Sequence, residues 1–502
     1  MRLLGPIIAS LLIVSFAHAD DVLLPAMIRS PQGASHDIFG ADLALASPER
    51  CFVGVRGADE RASNAGAVDA FELTVSGWRF LERLAPVELA AGDQFGEVVA
   101  ATADWLAVGA PRHDAAGADA GAVWLYHRNG YAWTEVQRLL PPAGSAGHGF
   151  GSSIAIGAGV LAIGSPLAGV GGTVTVYSLS GLTWSNARLI ANPTAAADDR
   201  FGEAVAFVDA TLFVGDPFDN AGAIDRGTVF AYETAGRDWQ LIQQLAPATT
   251  EDRQYFGNAL ASDSTQLAAS AHGADASGGT IASSGRVEIF ERVGAAWTRR
   301  ASILPPSPAA DANFGWDLSI DGDRIVVGEP ARNGAIAAEL MFGQAHLYRR
   351  VEGAWSVEAT FRHVAPQAYE VLGTAVAMRG GRVVAAAPGR DSHRGALITA
   401  DFARDCNSNS IVDVLEIAGG AADCNGDLVP DSCQPDTDGD GVPNACDCPY
   451  DLNGDGLVSS PDLTFVLTYW GSYGQWPSDL NGDLRVGAPD ITLILSSWGI
   501  CP

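Results

Sequence analysis

The chain has 502 residues, of which 47% are hydrophobic, and a formal net charge of −29. This length indicates several domains or a repeat array, and the apolar content excludes a fully disordered chain. The negative charge argues against binding to nucleic acid, which requires a basic surface. The 58 glycines and 26 prolines predict many turns, and therefore many short strands rather than long helices.

The N-terminus has the pattern of a secretory signal peptide. Arg2 precedes an apolar run over residues 3–16, which is followed by the small-residue site Ala17-His18-Ala19. The run is too short for a membrane-spanning helix, and no later stretch reaches the roughly 18 apolar residues that a span needs. We predict a signal peptide over residues 1–19 and an exported chain, secreted or at the cell surface. An uncleaved anchor is the alternative.

Seven repeats follow, and each begins with a Phe-Gly pair or its equivalent. Successive pairs are 51 to 58 residues apart. They are Phe39-Gly40, Phe95-Gly96, Phe150-Gly151, Phe201-Gly202, Phe256-Gly257, Phe314-Gly315 and Leu372-Gly373. Each repeat continues with an apolar run that ends in a Gly-x-Pro-like turn and a third strand-like run. In the first six repeats a Trp then opens a fourth run. Four short strands per period predict the blades of a β-propeller.

The two ends of the repeat region complement each other. The seventh repeat stops at Phe402 without its Trp strand, whereas Val22-Leu23-Leu24-Pro25 looks like the end of a fourth strand in the other repeats. We expect the N-terminal segment to complete the seventh blade, so that the ring closes. The predicted fold class is an all-β seven-bladed β-propeller over residues 20–402.

The Phe-Gly and Gly-Ala-Pro units resemble FG-GAP repeats, the blades of the integrin α-subunit propeller and of many bacterial exported proteins. The resemblance covers roughly residues 22–402 and implies a face that binds a protein or glycan ligand. Several integrin-type blades carry an acidic calcium loop between their first two strands. The matching loops here are short, as in Asp321-Gly322-Asp323, which argues against calcium in the propeller. We interpret the repeated Phe, Gly and Trp as packing residues.

The sequence contains no motif of a serine hydrolase, a zinc protease or a P-loop, and we predict neither catalytic residues nor enzyme activity. His113 and His272 follow Gly-x-Pro-like turns, so we expect them on solvated loops at one rim of the ring. Asp216, Asp219 and Glu329 fall on the same rim. A pair of them could act as glycosidase carboxylates, so a hydrolase is the alternative.

The segment from Ala403 to Pro502 is acidic and rich in cysteine. It contains 16 acidic residues, 2 arginines and six of the seven cysteines. In an exported chain these cysteines predict a disulfide framework, with a connectivity that the sequence leaves open: Cys406, Cys424, Cys433, Cys446, Cys448 and Cys501. Zinc is the alternative, although the segment has no His and its acids are hard oxygen donors.

Two twelve-residue segments, 451–462 and 479–490, fit a calcium-binding loop with alternating oxygen ligands. The predicted Ca²⁺ ligands, which include the Leu457 carbonyl and its equivalent, are Asp451, Asn453, Asp455, Leu457, Asp462, Asp479, Asn481, Asp483, Arg485 and Asp490. Each loop precedes a short amphipathic run, 463–470 or 491–498, that predicts a helix. An acidic turn without an ion is the alternative.

The duplicated loop and helix resemble a type I dockerin, and we assign them to a module over residues 448–502. In that family loop positions 10 and 11 help to select the cohesin partner, and they match Ser460, Pro461, Ala488 and Pro489. The resemblance implies attachment to a cohesin-like domain. The basic helix residues that dockerins often carry are absent. We expect Cys448 and Cys501, which bracket the module, to pair.

Residues 403–447 contain Asp436, Asp438 and Asp440 and resemble thrombospondin type 3 repeats, which are organised around calcium and disulfides. An acidic flexible linker is the alternative. Taken together, the sequence predicts an exported calcium-binding protein for adhesion or surface display. One alternative is a component of a polysaccharide-degrading complex, either a glycoside hydrolase or a carrier. Another is a structural cell-envelope protein.

Overall fold

The structure is a computed structural model. It describes residues 22–74, 77–130, 132–142, 145–236, 238–276, 279–334, 340–363, 365–403, 421–422, 430–434, 450, 452–453, 457–473, 478–481 and 483–500. The chain divides into two compact units, one containing Leu23–Phe402 and the other Ala403–Pro502. Among the described residues, none of the helices has the length and hydropathy needed to cross a bilayer.

Seven four-stranded antiparallel sheets make up the described part of the first unit. The strands of the first three are β2 (Phe39–Ser47), β3 (Arg50–Val55), β4 (Ala67–Thr74), β5 (Gly77–Leu84), β6 (Val98–Ala101), β7 (Trp105–Ala110), β8 (Ala122–Asn129), β9 (Ala132–Leu139), β10 (Ser153–Ile156), β11 (Val160–Ser165), β12 (Thr173–Ser180) and β13 (Thr183–Ala191). Those of the next three are β14 (Ala204–Val208), β15 (Thr211–Asp216), β16 (Thr228–Ala235), β17 (Asp238–Leu245), β18 (Leu260–Ser262), β19 (Gln266–Ala271), β20 (Arg286–Val293), β21 (Ala296–Ile303), β22 (Leu318–Asp321), β23 (Arg324–Glu329), β24 (Gln344–Val351) and β25 (Ala354–Phe361).

The seventh sheet joins the two ends of the propeller. Its strand order is β1-β28-β27-β26, with β26 (Val376–Arg379), β27 (Arg382–Ala387), β28 (Ala396–Ala403) and the N-terminal β1 (Val22–Ile28). The first strand of every blade contacts the first strands of both neighbours, and β2 contacts both β6 and β26. The ring is therefore a closed seven-bladed β-propeller, and the N-terminal strand completes the last blade, as the sequence predicts.

Aromatic side chains fill the spaces between blades. Phe52 in the second strand of the first blade meets Trp133 in the fourth strand of the second blade, with ring centroids 5.0 Å apart and planes at 90°. Phe213 and Trp297 repeat this contact at 4.8 Å between the fourth and fifth blades. Burying each such ring contributes about 2–3 kcal/mol, so the interpretation of the repeated aromatics as packing residues is confirmed.

In the first blade a buried aspartate is paired with an arginine. Asp69 is fully buried in β4, and its carboxylate accepts hydrogen bonds from Arg83 Nε (2.6 Å) and Nη2 (3.0 Å) on β5 and from the Ser30 hydroxyl (2.6 Å). Such a pair offsets its desolvation cost only while both partners remain. Cys51 in β3 is buried and free, and burial raises its pKa to about 12.

The described part of the second unit contains two short helices, α1 (Ser460–Thr468) and α2 (Ala488–Ser496), and a two-stranded ladder of β29 (Leu457–Val458) and β30 (Gly499–Ile500). A separate 3₁₀ turn spans Asp431–Cys433. Both helices begin three residues before the predicted start. Asp462 and Asp490 cause this, because each caps its helix by accepting the backbone N–H of the residue before the helix, at 2.8 and 2.7 Å.

The core of this unit shows the same duplication. Its buried residues are Val458 and Val466 from the first half and Val486 and Ile494 from the second. The members of each equivalent pair are separated by the repeat interval of 28 residues. The two halves therefore bury matching side chains against each other.

Candidate functional site at the axial mouth

The Phe-Gly pairs fasten each blade to the preceding one. The N–H of Phe95 donates to the carbonyl of Ala65 in the first blade (2.9 Å), and the N–H of Gly96 donates to the carbonyl of Gly109 in its own blade (3.0 Å). The same two bonds recur in the third to seventh blades. Gly109 in turn faces the third blade, since a Cβ placed there would lie 2.3 Å from the carbonyl oxygen of Gly151. The Phe-Gly pair and the Gly-x-Pro turn therefore both make contacts at the interfaces between neighbouring blades.

The residues that flank the Phe-Gly pairs surround one end of the ring axis, where the inner strands begin. The residue before the pair has a positive φ in six repeats, which turns the chain so that the Phe enters the blade interface. Unlike the pairs themselves, the flanking residues differ between repeats. We define the axial mouth as these flanking residues and the adjoining loops between second and third strands. The flanking residues are Ile38, Ala41, Gln94, Glu97, Gly149, Ser152, Arg200, Glu203, Tyr255, Asn258, Asn313, Trp316, Val371 and Thr374.

A cavity of about 820 Å³ occupies the axial mouth at the first four blades. Its charged lining is balanced, with three arginines and three acids: Arg56, Arg112, Arg200, Glu97, Asp119 and Glu203. Arg56 Nη1 contacts Glu97 Oε1 at 2.7 Å, and Arg200 Nη1 lies 3.8 Å from Glu203 Oε2. Arg112 is exposed and has no hydrogen bond or ion pair with the described residues. The cavity therefore offers both donors and acceptors.

The two glutamates of the cavity have unused hydrogen-bonding capacity. Oε2 of Glu97 and Oε2 of Glu203 are enclosed and have no hydrogen-bond partner among the described residues. Burial raises the pKa of Glu203, and the nearby Arg200 opposes this rise. An enclosed acceptor without a donor costs free energy, so a ligand hydroxyl or amide that supplied the donor would be favoured.

A row of ring contacts continues from the cavity wall across blades four to six. Arg200 lies over the ring of Phe218 (4.9 Å), and Phe218 contacts Tyr255 (5.3 Å). Tyr255 stacks on His272 (5.2 Å, planes 13° apart), and His272 contacts Trp316 (5.3 Å). Burial lowers the pKa of His272 to about 4, so this ring is neutral at pH 7. Trp316 is 40% exposed and ends the aromatic row at the surface.

A second cavity of about 310 Å³ lies between the inner strands. Asp42 and Asp317 line it, and each carboxylate accepts an N–H from the next blade, Val99 (2.7 Å) and Val376 (2.7 Å) respectively. Burial, and secondarily the Asp317 charge, raises the pKa of Asp42 to about 7. Burial raises the pKa of Asp317 to about 6. These carboxylates connect neighbouring inner strands.

The three rim carboxylates considered for glycosidase chemistry are buried. Asp216 and Glu329 are fully buried, and Asp219 is 7% exposed. Asp216 accepts the N–H of Arg200 (2.9 Å), and burial raises its pKa to about 7. Glu329 contacts His346 Nε2 at 2.9 Å. Asp216 and Glu329 therefore bond to neighbouring residues of the propeller, and all three carboxylates have little contact with solvent.

The expectation of solvated rim histidines is wrong for His113. Its side chain is buried, and its Nδ1 lies 2.9 Å from Asp93 Oδ2. Asp93 precedes the Phe-Gly pair of the same blade, so this contact joins two loops of the axial mouth. His272 is half-buried in the aromatic row. Its position after a turn suggested an exposed loop, but this loop folds over the edge of the blade and buries the His113 side chain.

The second predicted calcium loop is partly described. Asp479 Oδ2 accepts the N–H of Leu484 (2.8 Å), whereas its Oδ1 is enclosed and has no partner among the described residues. Leu484 stands where the first loop has Gly, and it adopts φ 69°. Asp490 Oδ1 accepts the N–H groups of Leu480 (2.8 Å) and Asn481 (3.2 Å). The second loop therefore turns at Leu484, and its Asp479 and Asp490 carboxylates accept backbone N–H groups of the same loop.

In the first loop, Asn453, Leu457 and Asp462 are described. Asp462 accepts the N–H groups of Leu452 (2.8 Å) and Asn453 (3.3 Å), as its counterpart does. Asp451 and Asp455 lie outside the described residues, as do Asp436, Asp438 and Asp440. Within the described residues no group of three or more His, Cys, Asp or Glu is placed to hold a metal ion.

The remaining predicted residues of the tail are placed as follows. Ser460, Pro461, Ala488 and Pro489 form the first turns of α1 and α2. Asp483 and Arg485 are linked, since the Arg485 N–H donates to Asp483 Oδ1 at 2.9 Å. Cys433 lies in the 3₁₀ turn, and five cysteines lie outside the described residues: Cys406, Cys424, Cys446, Cys448 and Cys501. Their pairing stays a prediction.

Three segments of the propeller, residues 78–126, 133–177 and 297–348, match the family model for the FG-GAP repeat. The propeller contains FG-GAP repeats. Each matched segment begins at the Trp of one blade's fourth strand and ends in the third strand of the next blade. The FG-GAP unit of sequence therefore spans a blade interface. The comparison with curated proteins gives no match.

Sequence reasoning missed the residues of the axial mouth. Four of these residues lie directly beside a Phe-Gly pair in the sequence: Glu97, Arg200, Glu203 and Trp316. The sequence pattern that could have identified them is that the Phe-Gly pair stays constant across the repeats, whereas the residues on either side of it change. Constant positions in a repeat array are required for packing, whereas positions that change at the same surface are free to bind a ligand.

Proposed function

We propose that this is an exported binding protein whose FG-GAP propeller holds a ligand at the axial mouth and whose tail attaches it to a partner. The observation that carries the proposal is the axial mouth itself: a fixed ring of Phe-Gly pairs displays changing charged and aromatic residues around one cavity. Its volume of about 820 Å³ lies within the range of ligand sites in proteins. The predicted signal peptide supports export.

Attachment through the tail is supported by two equivalent apolar patches. Leu467 and Trp470 at the end of α1 are each about half exposed, and so are Leu495 and Trp498 at the end of α2. Each pair is displaced from the other by 28 residues, the repeat interval. Exposed Leu and Trp of this kind mark protein-binding surfaces. They favour a docking role for the dockerin-like module, with a cohesin-like domain as the partner.

Calcium is proposed to stabilise this module. Asp479, Asn481, Asp483 and Asp490 would hold the ion in the second loop, together with the Arg485 carbonyl. Among the described residues the enclosed Asp479 Oδ1 has no hydrogen-bond partner, which supports this assignment. A bound cation would also neutralise repulsion among the 16 acids of the tail, and its removal would loosen the unit.

The test uses the full oxidised chain, probed with a glycan array and a peptide array in calcium buffer. Trp316→Ala and Arg112→Gln alter the mouth, whereas Leu189→Ala alters an exposed residue on the outer strand β13 and serves as a control. Binding to any array member that is lost in both mouth variants and kept in the control supports the proposal. Binding that survives both mouth variants refutes it for the propeller.

A further inference from the structure

The axial mouth combines features that suit one ligand class. Its lining is concave and combines three arginines and three acids with aliphatic side chains such as Val98 and Leu167. The aromatic row adjoins this lining through Arg200. A ligand that fits must therefore present both hydrogen-bonding groups and an apolar face.

We infer that the axial mouth binds a neutral oligosaccharide, whose hydroxyl groups bond to the charged cavity and whose sugar ring lies on Trp316. This inference rests on the proposed function and narrows its ligand class. A hydroxyl both donates and accepts hydrogen bonds, so it matches a cavity with arginine donors and carboxylate acceptors together.

Individual groups of the cavity support this assignment. Glu97 and Glu203 each have one oxygen without a donor, and rotation about the terminal torsion of a carboxylate is easy, so either oxygen can face a ligand. Arg112 brings an exposed guanidinium without a partner among the described residues. Its planar fork can donate to two adjacent hydroxyls at once.

Charge disfavours an acidic polysaccharide. The three arginines of the cavity are matched by three acids, so the mouth has no excess of positive charge. The chain as a whole carries a net charge of −29, which repels polyanions at low ionic strength. A neutral glycan is not repelled by the net negative charge of the chain, and it needs no excess of positive charge in the cavity.

The aromatic row offers little exposed apolar surface to a protein ligand. Protein interfaces are built around a core of buried aromatic and aliphatic anchors. Here Phe218, Tyr255 and His272 are half-buried against one another, and Trp316 is the member of the row that is largely exposed. The exposed indole of Trp316, at the opposite end of the row from Arg200, can stack on one sugar ring while other rings of the same oligosaccharide reach the cavity.

Calorimetric titration of the full oxidised chain tests the inference. The probes are neutral hexasaccharides (cello-, xylo- and manno-oligosaccharides), an oligogalacturonate, and the peptides that bind on the array. We expect saturable binding of at least one neutral oligosaccharide. Trp316→Ala should weaken it at least tenfold and Arg112→Gln at least threefold. Leu189→Ala and Arg362→Gln, the latter at an exposed arginine outside the cavity, should change it less than twofold.

Circular dichroism and thermal unfolding confirm that each variant is folded before its affinity is compared. Preference for the oligogalacturonate, or neutral binding that survives Trp316→Ala, overturns the inference. Binding of a peptide alone, lost in the mouth variants, overturns the glycan assignment while the proposed function stands. If neither saccharide nor peptide binds at the mouth, both fail.

Discussion

The closest test of the packing argument is Gly109→Ala. The new Cβ would lie 2.3 Å from the carbonyl oxygen of Gly151, which is about 1 Å inside van der Waals contact. The neighbouring blade must move away, and this loosens the hydrogen bond between the two blades that the Phe150 N–H donates to the carbonyl of Ala120 (2.9 Å).

Overpacking costs about 1–3 kcal/mol and the weakened hydrogen bond about 1 kcal/mol, so we expect a loss of about 2–4 kcal/mol. A propeller unit of 380 residues has an unfolding entropy near 0.8 kcal/mol per degree, so this corresponds to a Tm lower by about 3–5 °C. Differential scanning calorimetry of the full chain measures the shift.

The control is Gly130→Ala, in the turn between β8 and β9. Gly130 has φ 64°, and no atom lies within 4 Å of its ideal Cβ. It therefore reports the cost of a left-handed alanine without a clash, about 1–2 kcal/mol or about 1–2 °C. A shift for Gly109→Ala no larger than that of the control would refute the argument that this glycine exists to admit the neighbouring carbonyl.

Three further outcomes are expected. Since folding raises the pKa values of Asp42 and Asp317 from 3.8 to about 7 and about 6, their contribution to stability is fully present below pH 4 and is lost as the pH rises to 7. Denaturant titrations should thus show an unfolding free energy that falls between about pH 4 and 7, less steeply in Asp42→Asn; equal slopes would contradict this. Arg83→Met leaves Asp69 buried without its cation and should cost about 3–5 kcal/mol in the same assay. Adding Asp69→Asn should recover part of that loss, and a further loss would argue against the pair. Leu484→Gly removes a left-handed leucine, worth about 1–2 kcal/mol, and should tighten Ca²⁺ binding by the tail in calorimetry; unchanged or weaker binding would count against the second calcium loop.

Much of the fold was predictable because packing repeats. The Phe-Gly pairs and the Trp residues recur at regular intervals, and the missing fourth strand after Phe402 predicted the role of the N-terminal segment correctly. A position that packs the same way seven times leaves a periodic signal in the sequence. The helices of the tail were predicted three residues too short at their start, because the capping action of Asp462 and Asp490 was assigned to calcium alone.

The candidate site was less predictable, because it depends on which residues meet across blades. The contacts of Arg200, Phe218, Tyr255, His272 and Trp316 bring together residues from three repeats, up to 116 positions apart in the sequence. Contacts between residues of different repeats leave no regular spacing in the sequence, so these contacts could not be predicted from it. Burial of Asp216 and Glu329 was equally hidden, since a rim position in the sequence becomes an interior position once the adjoining loops fold over it.

The strand order of the seventh blade has a mechanical consequence. The tail continues from β28, and β28 lies between β27 and the N-terminal β1 rather than at the sheet edge. A pull applied through the tail therefore acts on a strand that is held along both flanks, so two ladders of hydrogen bonds share the load. In a blade without β1, the same pull would act on an edge strand held by one ladder. The N-terminal strand thus acts as an anchor for whatever force the tail transmits.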